Sequence, residues 1–110
     1  MIYNVYLICA EIGEEKLYKI GYTKREIEKR VNELKTGNAA DFKIIDSFRS
    51  KWGTKIESLL HKNFKNSKIN GEWFNLTYEQ VEQFRDKCQL FHQNFETLSQ
   101  STLYKEKNKF

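Results

Sequence analysis

Proline is absent from this 110-residue chain and cysteine nearly so. No linker, internal repeat or low-complexity tract interrupts it, so it reads as one domain with a single modest core. Its two cysteines, Cys9 and Cys88, have no paired spacing. That argues against a zinc site or a disulfide framework and leaves two small buried apolar residues in a reducing cytoplasm. No apolar run approaches the roughly 20 residues that a membrane span requires. The opening Met1-Ile2-Tyr3-Asn4-Val5-Tyr6 has no basic n-region and no small-residue cleavage site, so it reads as a first strand and not a signal peptide. Charge of one sign is not dominant either: Lys and Arg number 19 against 15 Asp and Glu, a net +4. That balance permits a nucleic-acid partner through counterion release but does not by itself point to one. With 39% hydrophobic and 31% charged residues, the composition fits a globular protein and not a disordered one.

What is present is a series of short, well-punctuated elements. Residues 3–9 and 17–22 read as two strands of an antiparallel hairpin, joined by the polar turn Glu11-Ile12-Gly13-Glu14-Glu15. Thr23 as N-cap, with Glu26 at the capping-box position, predicts a helix over 24–35. Ile27, Val31 and Leu34 form its core face, and Gly37 and Asn38 end it. Residues 42–48 predict a third strand with Phe42, Ile44, Asp46 and Phe48 on one face, the inward face being left open. A second helix spans 52–64, with Trp52, Ile56, Leu59 and Leu60 on its apolar side. Glu72 to Leu76 is a short strand or extended segment, and Thr77 with Gln80 caps a third helix over 78–98. In that helix Val81, Phe84, Cys88, Phe91, Phe95 and Leu98 form a narrow stripe, which docks on the domain's own sheet or, alternatively, makes a dimer seam. Residues 99–110 form a polar tail expected to fray. The fold class is α+β: a small, mainly antiparallel three-stranded sheet flanked by helices, with an added C-terminal helix. The divisions are a core at 1–77, the helix at 78–98 and the tail at 99–110.

Cutting a phosphodiester requires an activated water, positive charge to offset the phosphate, and help for the leaving oxygen. Glu57, on the rim of the second helix, is the best carboxylate for a divalent ion; its plainer reading is a surface glutamate paired with His61 one turn on. Arg30 lies between Ile27 and Val31 on the rim of the first helix, where a guanidinium can reach along the sheet, or it is an ordinary solvated residue. Tyr6 offers a hydroxyl to position or deprotonate water, or it packs in the core. A free tyrosine ionises near pH ~10, so a base role needs neighbouring cations. Gly21 weakens a strand unless backbone or ligand approaches closely. Lys62, Lys65 and Lys68, with Asn63, Asn66 and Asn70, make a DNA-facing edge or a solvated helix end. Trp73 and Phe74 close the core, or stack on bases if exposed beside basic residues. His92, off the apolar stripe, carries no role.

In order along the chain, Val5-Tyr6-Leu7, Lys19-Ile20-Gly21-Tyr22-Thr23, Arg30 and Glu57 resemble the GIY-YIG nuclease superfamily. The resemblance is to its phage- and virus-associated branch, in which the second half-motif reads Lys-Ile-Gly, and it covers residues 3–77. Asn4 and Val5 stand where the first half-motif has Gly and Ile. The resemblance implies a GIY-YIG-type fold and an endonuclease hydrolysing nucleic-acid phosphodiesters, DNA before RNA. It implies one Mg²⁺ or Mn²⁺ ion on Glu57 and catalytic roles for Tyr6, Lys19, Arg30, Glu57 and His61. Tyr6 would lie near the attacking water, Arg30 on the phosphate, and His61 near the phosphate or behind the metal ligand. Lys19 stands where many members carry a second tyrosine. Tyr22 would then supply a second hydroxyl, and Asn75 would stand for the late asparagine of other members. With Lys62 and Lys65 these make the expected nucleic-acid contacts. Glu72-Trp73-Phe74 also matches this branch. The alternative is a catalytically weak or inactive nucleic-acid-binding module, or a dimeric interaction protein joined through 81–98, on the same fold. Abundant Lys, Asn and Ile suggest an AT-rich genome, as of a phage, virus or low-GC bacterium, and a cytoplasmic location, in the host cell if viral.

Overall fold

The computed structural model describes residues 1–35 and 40–101. Strands β1 (Tyr3–Ile12) and β2 (Glu15–Thr23) form a long antiparallel hairpin. They are followed by α1 (Ile27–Lys35), β3 (Asp41–Ser50), α2 (Gly53–Asn63), a 3-10 turn (Lys65–Ser67), β4 (Lys68–Asn70), β5 (Trp73–Phe74) and α3 (Tyr78–Gln100). The sheet order is β3-β1-β2-β5-β4, with every neighbouring pair antiparallel. The α+β class, the antiparallel sheet and the C-terminal helix are as the sequence predicts. The sheet has five strands and not three, because the 68–74 hairpin adds itself to the edge of β2. Among the described residues no helix is long and apolar enough to cross a membrane.

β1 is the centre of the molecule. Val5 through Ala10 are each at most 3% exposed, so alternate residues must feed two separate cores. On one face Tyr6, Ile8 and Ala10 pack with Ile27 and Val31 of α1 and Phe42 of β3. On the other, Val5 and Leu7 pack with Ile20, with Ile56 and Leu60 of α2, and with Phe84 and Cys88 of α3.

The third strand departs from simple alternation. Leu7 pairs with Asp46 and Ile8 with Ile44, so Ile45 is an extra, bulged residue. A bulge inverts the alternation beyond it. Phe42 and Phe48 therefore belong to opposite cores, and the four residues predicted to share a face do not. Asp46, turned toward α3, accepts from Arg85 Nε at 3.0 Å.

The first helix starts later than its capping signal predicts. Thr23 remains in β2 opposite Asn4. Its Oγ1 accepts from the Arg25 N–H at 3.1 Å, while Asn4 Nδ2 donates to the Arg25 carbonyl at 3.0 Å. With both backbone groups engaged, Arg25 turns the chain, and the Glu26 carbonyl opens α1 by accepting from Lys29 and Arg30. The predicted stop at Gly37 and Asn38 lies outside the described residues.

The third helix follows its sequence closely. Thr77 and Gln80 form both bonds of the capping box. Phe84 and Cys88 are buried, with Val81, Phe91 and Phe95 packed against the same core, so the stripe docks on the domain's own sheet. Leu98 stays half-exposed. Trp52 stacks on Phe95 at 5.6 Å and donates Nε1–H to Glu96 at 3.1 Å, and His92 bonds Ser50 at 2.7 Å. α3 runs on to Gln100; the predicted tail from 102 lies outside the described residues. Both cysteines are free and buried, and burial pushes the Cys88 thiol up to about 12, which leaves it inert.

Phe84→Ala removes a ring that is 1% exposed. It is expected to lower the unfolding free energy by about 3–5 kcal/mol in a urea titration, whereas Leu98→Ala stays within about 0.5 kcal/mol of the parent.

Candidate active site

The residues able to do chemistry meet where β2 runs out of neighbours. β5 pairs only with Tyr18 and Lys19, so from Ile20 onward the outer side of β2 is an edge. The Ile20 backbone is still satisfied: its N–H donates to the Glu72 carbonyl at 3.1 Å, and its own carbonyl accepts from His61 Nε2 at 2.9 Å. Strand alternation turns Lys19 and Gly21 toward the α1 side, with Tyr6. α2 reaches the same edge from the other face.

Tyr6 lies across Gly21, its register partner. A Cβ at residue 21 would overlap the phenol, 2.6 Å from Cζ, and stand 3.1 Å from Glu72 Oε1. Residue 21 must be glycine because a phenol and a carboxylate already occupy that space. Arg30, on α1, donates Nε–H to Tyr6 Oη at 3.5 Å and Nη1–H to Glu33 at 3.2 Å. Glu33 in turn holds Arg25. Burial pushes the Tyr6 hydroxyl above its ordinary value against the pull of Arg30, and the negative charges of Glu72 and Glu57 add to the rise. The phenol therefore keeps its proton at neutral pH, with Oη accepting from Arg30 and its own O–H left to donate.

Lys19 is buried, with Nζ 2.7 Å from Glu72 Oε2 and 5.5 Å from the centre of the Trp73 ring. Glu72 comes from the two-residue turn Gly71-Glu72, in which Gly71 adopts a φ of +51°. No role was expected for Glu72 from the sequence. Its signal there is the Gly-Glu pair just before Trp73-Phe74, a turn that presents a carboxylate beside the strand pairing with Lys19.

α2 supplies Glu57 and His61, one turn apart, with Nε2 of His61 3.3 Å from Glu57 Oε1. A carbonyl can only accept, so Nε2 carries a proton and shares it between the Ile20 carbonyl and Glu57. The imidazole stands edge-on to Phe74 at 4.9 Å, which fixes its plane. Burial raises the Glu57 carboxyl above the usual carboxylate range and Glu72 adds to this, while His61, Lys19 and Lys68 pull it back.

Glu57, His61 and Glu72 each bring a donor atom to within 4.8 Å of the others. Two carboxylates suit a hard divalent ion such as Mg²⁺ or Mn²⁺. A carboxylate whose charge is disfavoured by burial gains most from a cation. His61 Nε2 is committed to Ile20, so the imidazole supports Glu57 in the manner of a group behind the ligand. The donor set fits a single divalent ion.

The structure thus gathers Tyr6, Lys19, Arg30, Glu57 and His61, and adds Glu72. Tyr22 is not among them: it lies on the opposite face of β2 from Tyr6, edge-on to Tyr3 at 5.6 Å. Asn75 opens beside Glu15, Lys16, Leu17 and Ile69, toward the start of β2 and away from Gly21. Lys62 and Lys65 are solvent-exposed just past His61, at the end of α2 and in the 3-10 turn.

The raised Tyr6 hydroxyl predicts a pH dependence. Because the folded value exceeds the unfolded one, its contribution is complete below pH ~10 and is lost as pH rises further. Tyr6→Phe should remove one late-ionising phenol from the ultraviolet titration and should lose less stability than the parent above pH ~10.

No curated protein and no solved structure matches this chain. A family model does match it, that of the T5orf172 domain, over residues 4–89. That span runs from β1 into α3 and includes every residue gathered at the site. The chain belongs to the T5orf172 domain family, a domain found in phage-associated and some nuclease-like proteins.

Proposed function

We propose that this protein is a metal-dependent endonuclease of the GIY-YIG type that hydrolyses phosphodiester bonds in nucleic acid, DNA in preference to RNA. The observation that carries this reading is the convergence of Tyr6, Lys19, Arg30 and Glu57, from four different elements, around Gly21 and the free edge of β2. Packing alone has no use for two cations, a buried phenol and two carboxylates at one strand edge. Burial also raises the Glu57 carboxyl above its usual range, as is common for carboxylates at functional sites.

Arg30 and Lys19 offset the charge that develops on the phosphate oxygens, and Arg30 does so as a planar donor already anchored on Glu33. Burial holds the Tyr6 proton at rest, while Arg30, donating to Oη at 3.5 Å, favours the phenolate. Tyr6 thus orients or deprotonates the attacking water, whose proton goes to the Tyr6 oxygen or to bulk solvent. Glu57, steadied by His61, and Glu72 would hold the single Mg²⁺ or Mn²⁺ ion. When bound, that ion acts as a Lewis acid on the phosphoryl and leaving oxygens. His61 keeps the Glu57 carboxylate aimed by anchoring itself on the Ile20 carbonyl.

One feature favours a second reading, a nucleic-acid-binding module on the same fold: Lys19 is already matched by Glu72. Nicking of supercoiled plasmid and cleavage of labelled single strands, each in Mg²⁺, Mn²⁺ and EDTA, separate the two. The nuclease is expected to cut in either metal and not in EDTA, and Glu57→Ala and Arg30→Ala are each expected to lower the rate roughly 100-fold or more. Equal activity in wild type and Glu57→Ala would overturn the site. A folded wild type that binds DNA and cuts neither substrate would leave the binding module.

A further inference from the structure

Past Lys19 the α1 side of the sheet opens into a hollow of about 340 Å³. Ala10, Leu17 and Phe42 line it from the central strands, and Ile69, Asn70 and Trp73 from the 68–74 hairpin. Its volume is at the lower end of the roughly 300–1,000 Å³ of small-molecule sites. The lining is apolar except for the Asn70 amide, and Ile69 is half-exposed at the rim.

The hollow lies on the same face of β2 as Lys19 and Gly21. Leu17, Lys19 and Gly21 share one face of β2 at successive alternate positions, about 7 Å apart. Hollow, ammonium group and Tyr6–Gly21 crossing therefore follow one another along a single strand. Trp73 belongs to two of them: it lines the hollow, and Lys19 Nζ sits 5.5 Å from its ring centre.

We propose that this hollow is a subsite for one unpaired nucleobase, the base of a nucleotide whose phosphate is met by Lys19. The inference rests on the nucleic-acid reading above and narrows its substrate class to strands with an unstacked or single-stranded base. A base has apolar faces and a polar edge. The half-buried Trp73 ring, backed by the buried Phe42 at 6.3 Å, offers aromatic surface to one face, and the Asn70 amide offers both a donor and an acceptor to the edge. Each base in a strand brings one phosphate charge, which an apolar peptide side chain lacks and which the Lys19 ammonium meets by exchanging Glu72, its partner at 2.7 Å, for the phosphate. A base paired inside a duplex cannot enter, so the subsite selects single strands or a base turned out of the stack.

The test uses the full chain in EDTA, so that binding is read without cleavage. Trp52→Phe leaves Trp73 as the only tryptophan. Oligo(dT) is expected to quench its emission, and an abasic strand of equal length is expected not to. The abasic strand should also bind about five-fold or more weakly. Asn70→Ala and Trp73→Leu should each weaken oligo(dT) binding while leaving abasic-strand binding unchanged. Asn70 is exposed, so its variant reads the subsite even if Trp73→Leu fails to fold. Equal affinity for the two strands with unchanged emission overturns the subsite, whatever the nicking assay gives. Quenching and base dependence without metal-dependent cleavage support the subsite and remove the nuclease. A Trp73 emission that changes with protein concentration alone, together with dimer sedimentation, would assign the hollow to a second copy and overturn the proposal.

Discussion

Burial of β1 on both faces is the constraint on which the rest of the structure depends. Six consecutive residues, Val5 to Ala10, are shielded from water. A strand in a sheet with one wet face can alternate apolar and polar side chains; this strand cannot, and it needs a layer on each side. α1 supplies one layer, and α2 with α3 the other. β2 and β3 take up its two hydrogen-bonding edges. That arrangement makes the outer side of β2 an open flank, and the short 68–74 hairpin covers only part of it.

Core and candidate chemistry are therefore not separable. The ring of Tyr6 is part of the core under α1, and its hydroxyl lies over Gly21 beside Arg30 and Glu72. The burial that stabilises the ring also holds the proton on its oxygen. Glu57 shows the same coupling on the other face: it sits one residue from the buried Ile56, and its carboxyl is raised for want of solvent. Desolvated carboxylates cost stability until a cation or a hydrogen-bond donor meets them. Here His61, Lys19 and Lys68 meet part of that need.

The 68–74 hairpin, though it forms the smallest strands, joins three functions. Its turn sends Glu72 back to Lys19 and Gly21. Trp73, paired with Lys19, faces the α1 side and the hollow, while Phe74, paired with Tyr18, is sealed into the core under α2 and α3. Two adjacent residues can do this because neighbouring side chains of a strand point to opposite faces. The hairpin is fastened by the backbone bond from Ile20 to Glu72 and by Asn75 donating to the Ser67 carbonyl.

Much of this was legible in the chain itself. The β1–β2 hairpin, the Thr77–Gln80 capping box and the spacing of Val81, Phe84, Cys88, Phe91 and Phe95 all express interactions between residues a few positions apart, which local sequence encodes directly. Tyr6, Lys19, Arg30 and Glu57 stood out because their order along the chain resembles that of a known nuclease superfamily. The sequence by itself determined the β1–β2 hairpin, the helices, the α+β class and the burial of both cysteines, but not the strand at 68–70. Tertiary structure alone decided which side of β2 Tyr22 faces, that Asn75 opens away from Gly21, that Ile45 bulges and sends Phe42 and Phe48 to different cores, and that Asn4 caps the turn at Arg25 and delays α1. It also decided that Glu72 joins Lys19. Each of these depends on pairing register or on contact between residues distant in the chain. A shift of one residue in register reverses every side chain beyond it, and no local pattern records which register wins.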